Sequence, residues 1–190
     1  SHYGKVRILI PMLSSISELD QTLHLIDEAK RSLDEDGIAY DRDIEIGGMI
    51  EVPAAALSIN LFMRRLDFLS IGTNDLIQYT LAIDRSDDAV AHLFDPLHPA
   101  ILNLVAHIIR SANRSGKPVA VCGEMAGDVR LTRLLLGFGL RQFSMHPAYL
   151  LAVKQVVLKS DLREATVLSQ KMLRSAEPER LENLLQRMNR

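Results

Sequence analysis

The chain has only one cysteine, Cys122, among 190 residues. A single thiol excludes an internal disulfide and any zinc site built from cysteines alone. Long apolar runs are also missing, since no stretch reaches the roughly 18 to 20 residues that cross a bilayer as a helix. No basic, apolar-cored leader opens the chain. Neither sign of charge dominates: 22 Lys and Arg stand against 24 Asp and Glu, a formal net charge of −2. That balance gives no global pull toward nucleic acid or an anionic membrane. The expectation is a soluble, cytoplasmic protein. The chain begins Ser-His-Tyr rather than Met, an opening that fits either a tag remnant or a cut within a longer chain.

What remains is ordinary globular composition, 47% hydrophobic and 24% charged, which argues against wholesale disorder. Short β-rich runs alternate with longer helical patterns. Strands are predicted at Val6 to Pro11, Ile44 to Glu51, Phe68 to Ile71, Pro118 to Cys122 and Gln142 to Met145. Between them, Leu19, Leu23, Ile26 and Leu33 recur at helical spacing, with Ser17 as the expected N-cap and Gly37 as the stop. A helix is expected over Ala54 to Arg65, and a helical turn over Leu76 to Ala82. Pro99 opens a helix with Ile101, Leu104, Val105, Ile108, Ile109 and Ala112 on one face. Asp128 to Leu136 reads as helix, broken by Gly137 and Gly139, and Pro147 to Leu158 as another. Two charged amphipathic helices, Asp161 to Leu173 and Pro178 to Met188, finish the chain. Asp84 to His98 is a polar loop, and a loop of that length inside a domain is usually functional or mobile.

Five β/α units in series predict an α/β protein with a parallel sheet and helical crossovers. A doubly wound open sheet and part of a (β/α)8 barrel both fit. Five strands are too few to close the barrel, so that reading needs strands from outside this sequence. In either architecture the C-terminal strand ends face the site, and here those ends are rich in polar residues. Strand two ends in Glu51. Strand three runs into Gly72-Thr73-Asn74-Asp75. Strand four ends in Cys122 and continues Gly123-Glu124. Strand five runs into Ser144-Met145-His146.

Each of these residues has a structural reading and a chemical one. Glu51, and Asn74 with Asp75, serve either as helix caps or, for the two carboxylates, as ligands of magnesium, which takes one or two protein carboxylates and fills its other positions with water and substrate oxygens. Gly72 allows close backbone approach. Arg85 pairs either with Asp84, Asp87 or Asp88 in its own loop or with a phosphate or carboxylate. Cys122 is either a small buried apolar residue or an acid, base or nucleophile. Glu124 either orients a neighbour or caps a helix. His146 reads as structural, and the six histidines form no zinc pattern.

The segments Met49-Ile-Glu-Val-Pro-Ala-Ala-Ala56, Ser70-Ile-Gly-Thr-Asn-Asp-Leu-Ile-Gln-Tyr79 with Asp84-Arg85, and Cys122-Gly-Glu-Met-Ala-Gly127 resemble the C-terminal domain of enzyme I. That family is the phosphoenolpyruvate–protein phosphotransferase of the bacterial phosphotransferase system, in its sugar-type or nitrogen-type form. The likeness runs from about Val6 to the last helices. Pyruvate phosphate dikinase and phosphoenolpyruvate synthase share related motifs.

The resemblance implies the C-terminal part, about five βα units, of a phosphoenolpyruvate/pyruvate-type (β/α)8 barrel. Residues 1–160 would carry those units and 161–190 the C-terminal helices. It implies Mg2+ held by Glu51 and Asp75, substrate phosphate bound by Asn74 and Arg85, and Cys122 as the acid that protonates the enolate carbon while pyruvate forms. It also implies a homodimer, and a histidine phosphocarrier protein as partner through an N-terminal domain that nothing here matches. A barrel lacking its first strands exposes apolar sheet edge and core. The expectation is therefore weak substrate binding, little activity, and either self-association or a rearranged sheet. Two other readings are a lyase- or aldolase-like barrel enzyme and a non-catalytic dimerisation module.

Overall fold

The apolar runs become five strands in a computed structural model that describes residues 4–190. They are β1 (Arg7–Ile10), β2 (Glu45–Ile50), β3 (Phe68–Gly72), β4 (Val119–Cys122) and β5 (Gln142–Phe143). All pair in parallel, in the order β1-β2-β3-β4-β5. This order decides between the two architectures. A doubly wound sheet reverses direction at a switch point, whereas strands laid down in chain order with right-handed crossovers place every helix on one face. The sheet is a run of five consecutive units of the barrel type, and it is not rearranged.

The register sorts side chains by face. Ile10, Gly48, Leu69 and Val119 form one row and Ile50, Ile71, Val121 and Phe143 the next. These rows lie under the helices and include the fully buried Ile50, Ile71 and Val121. The opposite face carries Leu9, Gly47 and Phe68 in one row, then Met49, Ser70, Ala120 and Gln142, then Gly72 with Cys122. Such layering is how a barrel interior is filled. At the start of β1 and β2, Arg7 and Lys5 both pair with Glu45 at 2.6 Å, and Arg7 lies over the Phe68 ring.

The helices are α1 (Ile16–Glu35), α2 (Pro53–Leu57), α3 (Ile59–Phe62), α4 (Thr73–Leu81), α5 (Pro99–Arg114), α6 (Glu124–Gly127), α7 (Val129–Phe138), α8 (Leu150–Leu158), α9 (Leu162–Leu173) and α10 (Pro178–Met188). The α1 cap is Ser15, not Ser17. Its side chain accepts from the Glu18 N–H while Glu18 reaches back to the cap, because Glu18 sits three residues after Ser15 as a capping box requires. The expected helix over Ala54 to Arg65 breaks at Ser58 into α2 and α3. The turn expected from Leu76 is the longer α4, which starts at Thr73.

Gly137 does not break α7. It lies within the helix, where an added Cβ would meet the Ala165 backbone, its carbonyl carbon at 2.8 Å, and Ser169 Oγ at 2.8 Å. The glycine lets α9 approach α7 closely. Consequently α9 and α10 pack into the helical layer through Ala165, Leu168, Met172, Leu181 and Leu185, all nearly inaccessible to solvent. By contrast α8 leaves Leu151 79% and Leu158 76% exposed. Among the described residues, no helix is long and apolar enough to cross a membrane.

Two outcomes follow. Gly137→Ala should lower unfolding stability by about 1–3 kcal/mol in denaturant titration, because the obstruction is backbone and cannot swing aside. The Glu18 carboxylate accepts from the Ser14 hydroxyl at 2.7 Å and from the N–H groups of Ser14 and Ser15, which holds its carboxyl below the ordinary value of 4.5. A carboxyl lowered by folding adds stability that is complete above the unfolded value and vanishes as pH falls through the folded one. Melting temperature should therefore fall more steeply below pH 4.5 in the natural chain than in Glu18→Gln.

Candidate functional site

The parallel register brings the C-terminal strand ends to one edge, and the polar residues gather there. Glu51 directly follows β2 and is only 3% exposed. Its Oε1 accepts the Met12 backbone N–H at 2.8 Å, from the turn between β1 and α1. Met12 itself sits at φ 54°, a left-handed conformation that a non-glycine residue adopts at a cost. Gly72 ends β3 beside Glu51. A Cβ there would lie 2.5 Å from Glu51 Oε2 and 2.9 Å from Glu51 Cβ, so only glycine admits this carboxylate.

Asp75 occupies the first turn of α4, where the helix dipole favours a negative charge. Its carboxyl is close enough for its charge to act on Glu51. Burial pushes the Glu51 carboxyl above the ordinary glutamate range, the Met12 N–H opposes that, and the Asp75 charge adds to it. A divalent cation held by the two carboxylates would offset this rise. Among the described residues no third His, Cys, Asp or Glu joins the pair. Two carboxylates without a cage suit magnesium, which keeps room for water and substrate oxygens, better than structural zinc.

The first turn of α4 also ties to the end of β4. The Thr73 hydroxyl donates to the Cys122 carbonyl at 2.9 Å, and Asn74 Oδ1 accepts the Glu124 N–H at 3.1 Å. Cys122 is half-buried and faces Gly72 across the sheet. The Ser70 hydroxyl donates to its sulfur at 3.4 Å, and the thiol lies 3.3 Å from the Ile71 carbonyl. A cavity of about 1020 Å³ opens over these strand ends, lined by Asn74, Cys122, Glu124, Met145, His146 and Tyr149 among others.

Arg85 makes no ion pair within 4.0 Å to the carboxylates of its own loop; its Nη1 lies 4.0 Å from Glu124 Oε1 across the rim. With the two side chains 42% and 76% exposed, that contact is weak and leaves the guanidinium open to another anion. His146 caps the turn at Pro147 through Nδ1 and meets Tyr149 edge-on, in keeping with its structural reading.

Glu51 and Asp75 thus stand together, as do Asn74, Cys122 and Glu124, with Arg85 at their margin. The sequence pattern did not single out Met12, Ser70 or Thr73 for a role. Met12 contributes only a backbone amide and leaves no residue-type signal. Ser70 was detectable as a lone hydroxyl in an apolar strand.

A barrel-type sheet whose C-terminal rim carries a paired carboxylate, an amide and a thiol defines a class of protein: a β/α unit with a metal-capable acidic rim. A family model described as "PEP-utilising enzyme, PEP-binding domain" matches residues 1–162, and the chain belongs to that family. Among curated proteins it is similar to the phosphoenolpyruvate-protein phosphotransferase of Cupriavidus necator, 64% identical over 94% of this chain and 30% of that protein. It is also similar to the protein of that name from Haemophilus influenzae, 37% identical over 98% of this chain and 32% of that protein. The chain spans about a third of the length of these relatives. Among solved structures, a citrate lyase from Burkholderia xenovorans shares the fold, with a TM-score of 0.57 at 18% identity over 96% of this chain and 63% of that one.

Gly72→Ala should lower stability by about 1–3 kcal/mol, because the new methyl meets Glu51. In a Glu51→Ala background most of that loss should disappear. Additive losses in denaturant titrations of the two single variants and the double variant would show that the Gly72–Glu51 contact does not limit the site.

Proposed function

We propose that the chain is the phosphoenolpyruvate-binding part of a phosphoenolpyruvate–protein phosphotransferase, with the βα units over residues 1–160 carrying the site and 161–190 bracing it. The buried Glu51 carboxylate, with the Asp75 charge acting on it, carries this reading, because two neighbouring carboxylates at a strand-end rim call for a cation and an anionic ligand. In this reading Glu51 and Asp75 hold Mg2+, which when bound neutralises phosphate and carboxylate charge and favours the enolate form of the product.

The chain's own residues then have separate tasks. The Met12 amide and the space over Gly72 fix the Glu51 carboxylate. Asn74 is held by the Glu124 N–H with its amide nitrogen free to donate to a phosphate oxygen. Arg85 exchanges its weak contact with Glu124 for a two-pronged grip on the phosphate. Phosphoryl transfer needs positioning and charge neutralisation more than covalent help from this part. Cys122, at the rim between Gly72 and the cavity, delivers a proton to the enolate carbon as pyruvate forms. The phosphoryl acceptor is a histidine on another domain, from which the group passes to a histidine phosphocarrier protein. The whole enzyme works in the cytoplasm as a homodimer, and the exposed leucines of α8 support a face that is covered in the assembly.

Calorimetric titration of phosphoenolpyruvate tests the reading. Weak, magnesium-dependent heat, with a dissociation constant of about 1 mM, is expected from the natural chain and none from Asp75→Ala. Heat that is the same without magnesium, or that survives in Asp75→Ala, would overturn the metal assignment.

A further inference from the structure

We infer that Ser70 is a positioning residue for the Cys122 thiol, an inference that rests on the acid role proposed above for Cys122. Ser70 lies in the middle of β3 on the inner face, opposite Met49 and Ala120, and is 7% exposed. A buried hydroxyl ordinarily finds a strong acceptor. This one donates to Cys122 Sγ at 3.4 Å, and a neutral thiol is a weak acceptor. The arrangement is therefore a poor way to satisfy a serine. It becomes a good one once sulfur carries charge, because hydrogen bonds to ionised acceptors are about twice as strong.

The chemistry proposed for Cys122 creates that charge. The S–H bond breaks, a C–H bond forms on the enolate carbon, and the electron pair stays on sulfur. The Ser70 O–H stays intact and donates to the thiolate. Its contribution is larger after proton delivery than before, which is what accelerates a step rather than merely binding the resting state. Before delivery the thiol hydrogen rests against the Ile71 carbonyl, 3.3 Å from sulfur. Turning it toward substrate requires rotation about the Cβ–Sγ bond while sulfur stays in place, and Ser70 holds sulfur there.

The chain's single cysteine makes the test clean, since the infrared S–H stretching band and any thiol alkylation come from Cys122 alone. In Ser70→Ala the band should move to higher frequency, and alkylation by iodoacetamide at neutral pH should slow about tenfold. Ser70→Thr should restore both. Ser70→Val has the shape of threonine without its hydroxyl, so the Thr/Val comparison isolates the hydroxyl even where the alanine variant folds poorly. Thr and Val variants with the same band and the same alkylation rate would overturn the inference. Deuterium incorporation into the methyl group of pyruvate in heavy water, with magnesium and high pyruvate, reads the acid role separately. If exchange by the natural chain persists in Cys122→Ala while the band still responds to Ser70, the acid role of Cys122 fails and the Ser70–thiol pairing stands. If exchange occurs at equal rates in the Thr and Val variants, Ser70 has no part in the step.

Discussion

A carboxylate buried at the end of an apolar strand is costly unless something shares its charge, and the rim is organised around that requirement at Glu51. One oxygen takes the Met12 amide, and the other lies against the bare backbone of Gly72. The second carboxyl, from Asp75, increases the deficit of positive charge. Neighbouring features serve this arrangement: the strained turn at Met12, the glycine at the end of β3 and the placement of Asp75 in a helix's first turn. Two acidic groups so placed raise the proton affinity of Glu51, and a cation held there would offset that rise. The same pair would be a poor choice if stability alone mattered.

The hydrogen bonds from Thr73 and Asn74 to the end of β4 give the rim its second property, which is coupling. Helix α4 has no side-chain N-cap of its own. Its first polar residues bind the neighbouring β4 turn instead. Asp75 and the thiol therefore belong to one framework, and a shift of α4 would change the position of Asp75 and the end of β4 relative to Glu51. The helical layer supports this framework from behind. The close approach of α9 at Gly137 lets the last two helices bury their apolar stripes beside α7 rather than trail from the sheet.

Much of this was legible in the sequence. Apolar runs at strand length, helical spacings and the positions of Pro99 and Gly37 located the elements, because burial and backbone dihedrals act locally. The polar residues at the strand ends located the rim, because a parallel sheet sends all such ends to one edge. Strand order was not legible in periodicity, which carries no information on which strands are neighbours; the resemblance to a (β/α)8 barrel supplied it, and the consecutive order agrees. The cap at Ser15 was misplaced to Ser17 because both serines precede acidic residues, and only the Glu18 geometry distinguishes them. Gly137 looked like a helix breaker because the helix that approaches it lies almost thirty residues on. The role of Met12 resides in a backbone amide and so leaves no trace in residue type.

The two outer strands have a consequence for how such a sheet meets its surroundings. An unpaired strand is a template for another chain, and proteins restrain it with charge or brevity. At one margin Lys5 and Arg7 gather on Glu45, so an incoming strand would have to strip water from a cluster of ions. At the other, β5 is two residues long and offers too few backbone groups to anchor a ladder. What the two margins offer a passing strand is therefore charge at one and brevity at the other, not a long flat ladder.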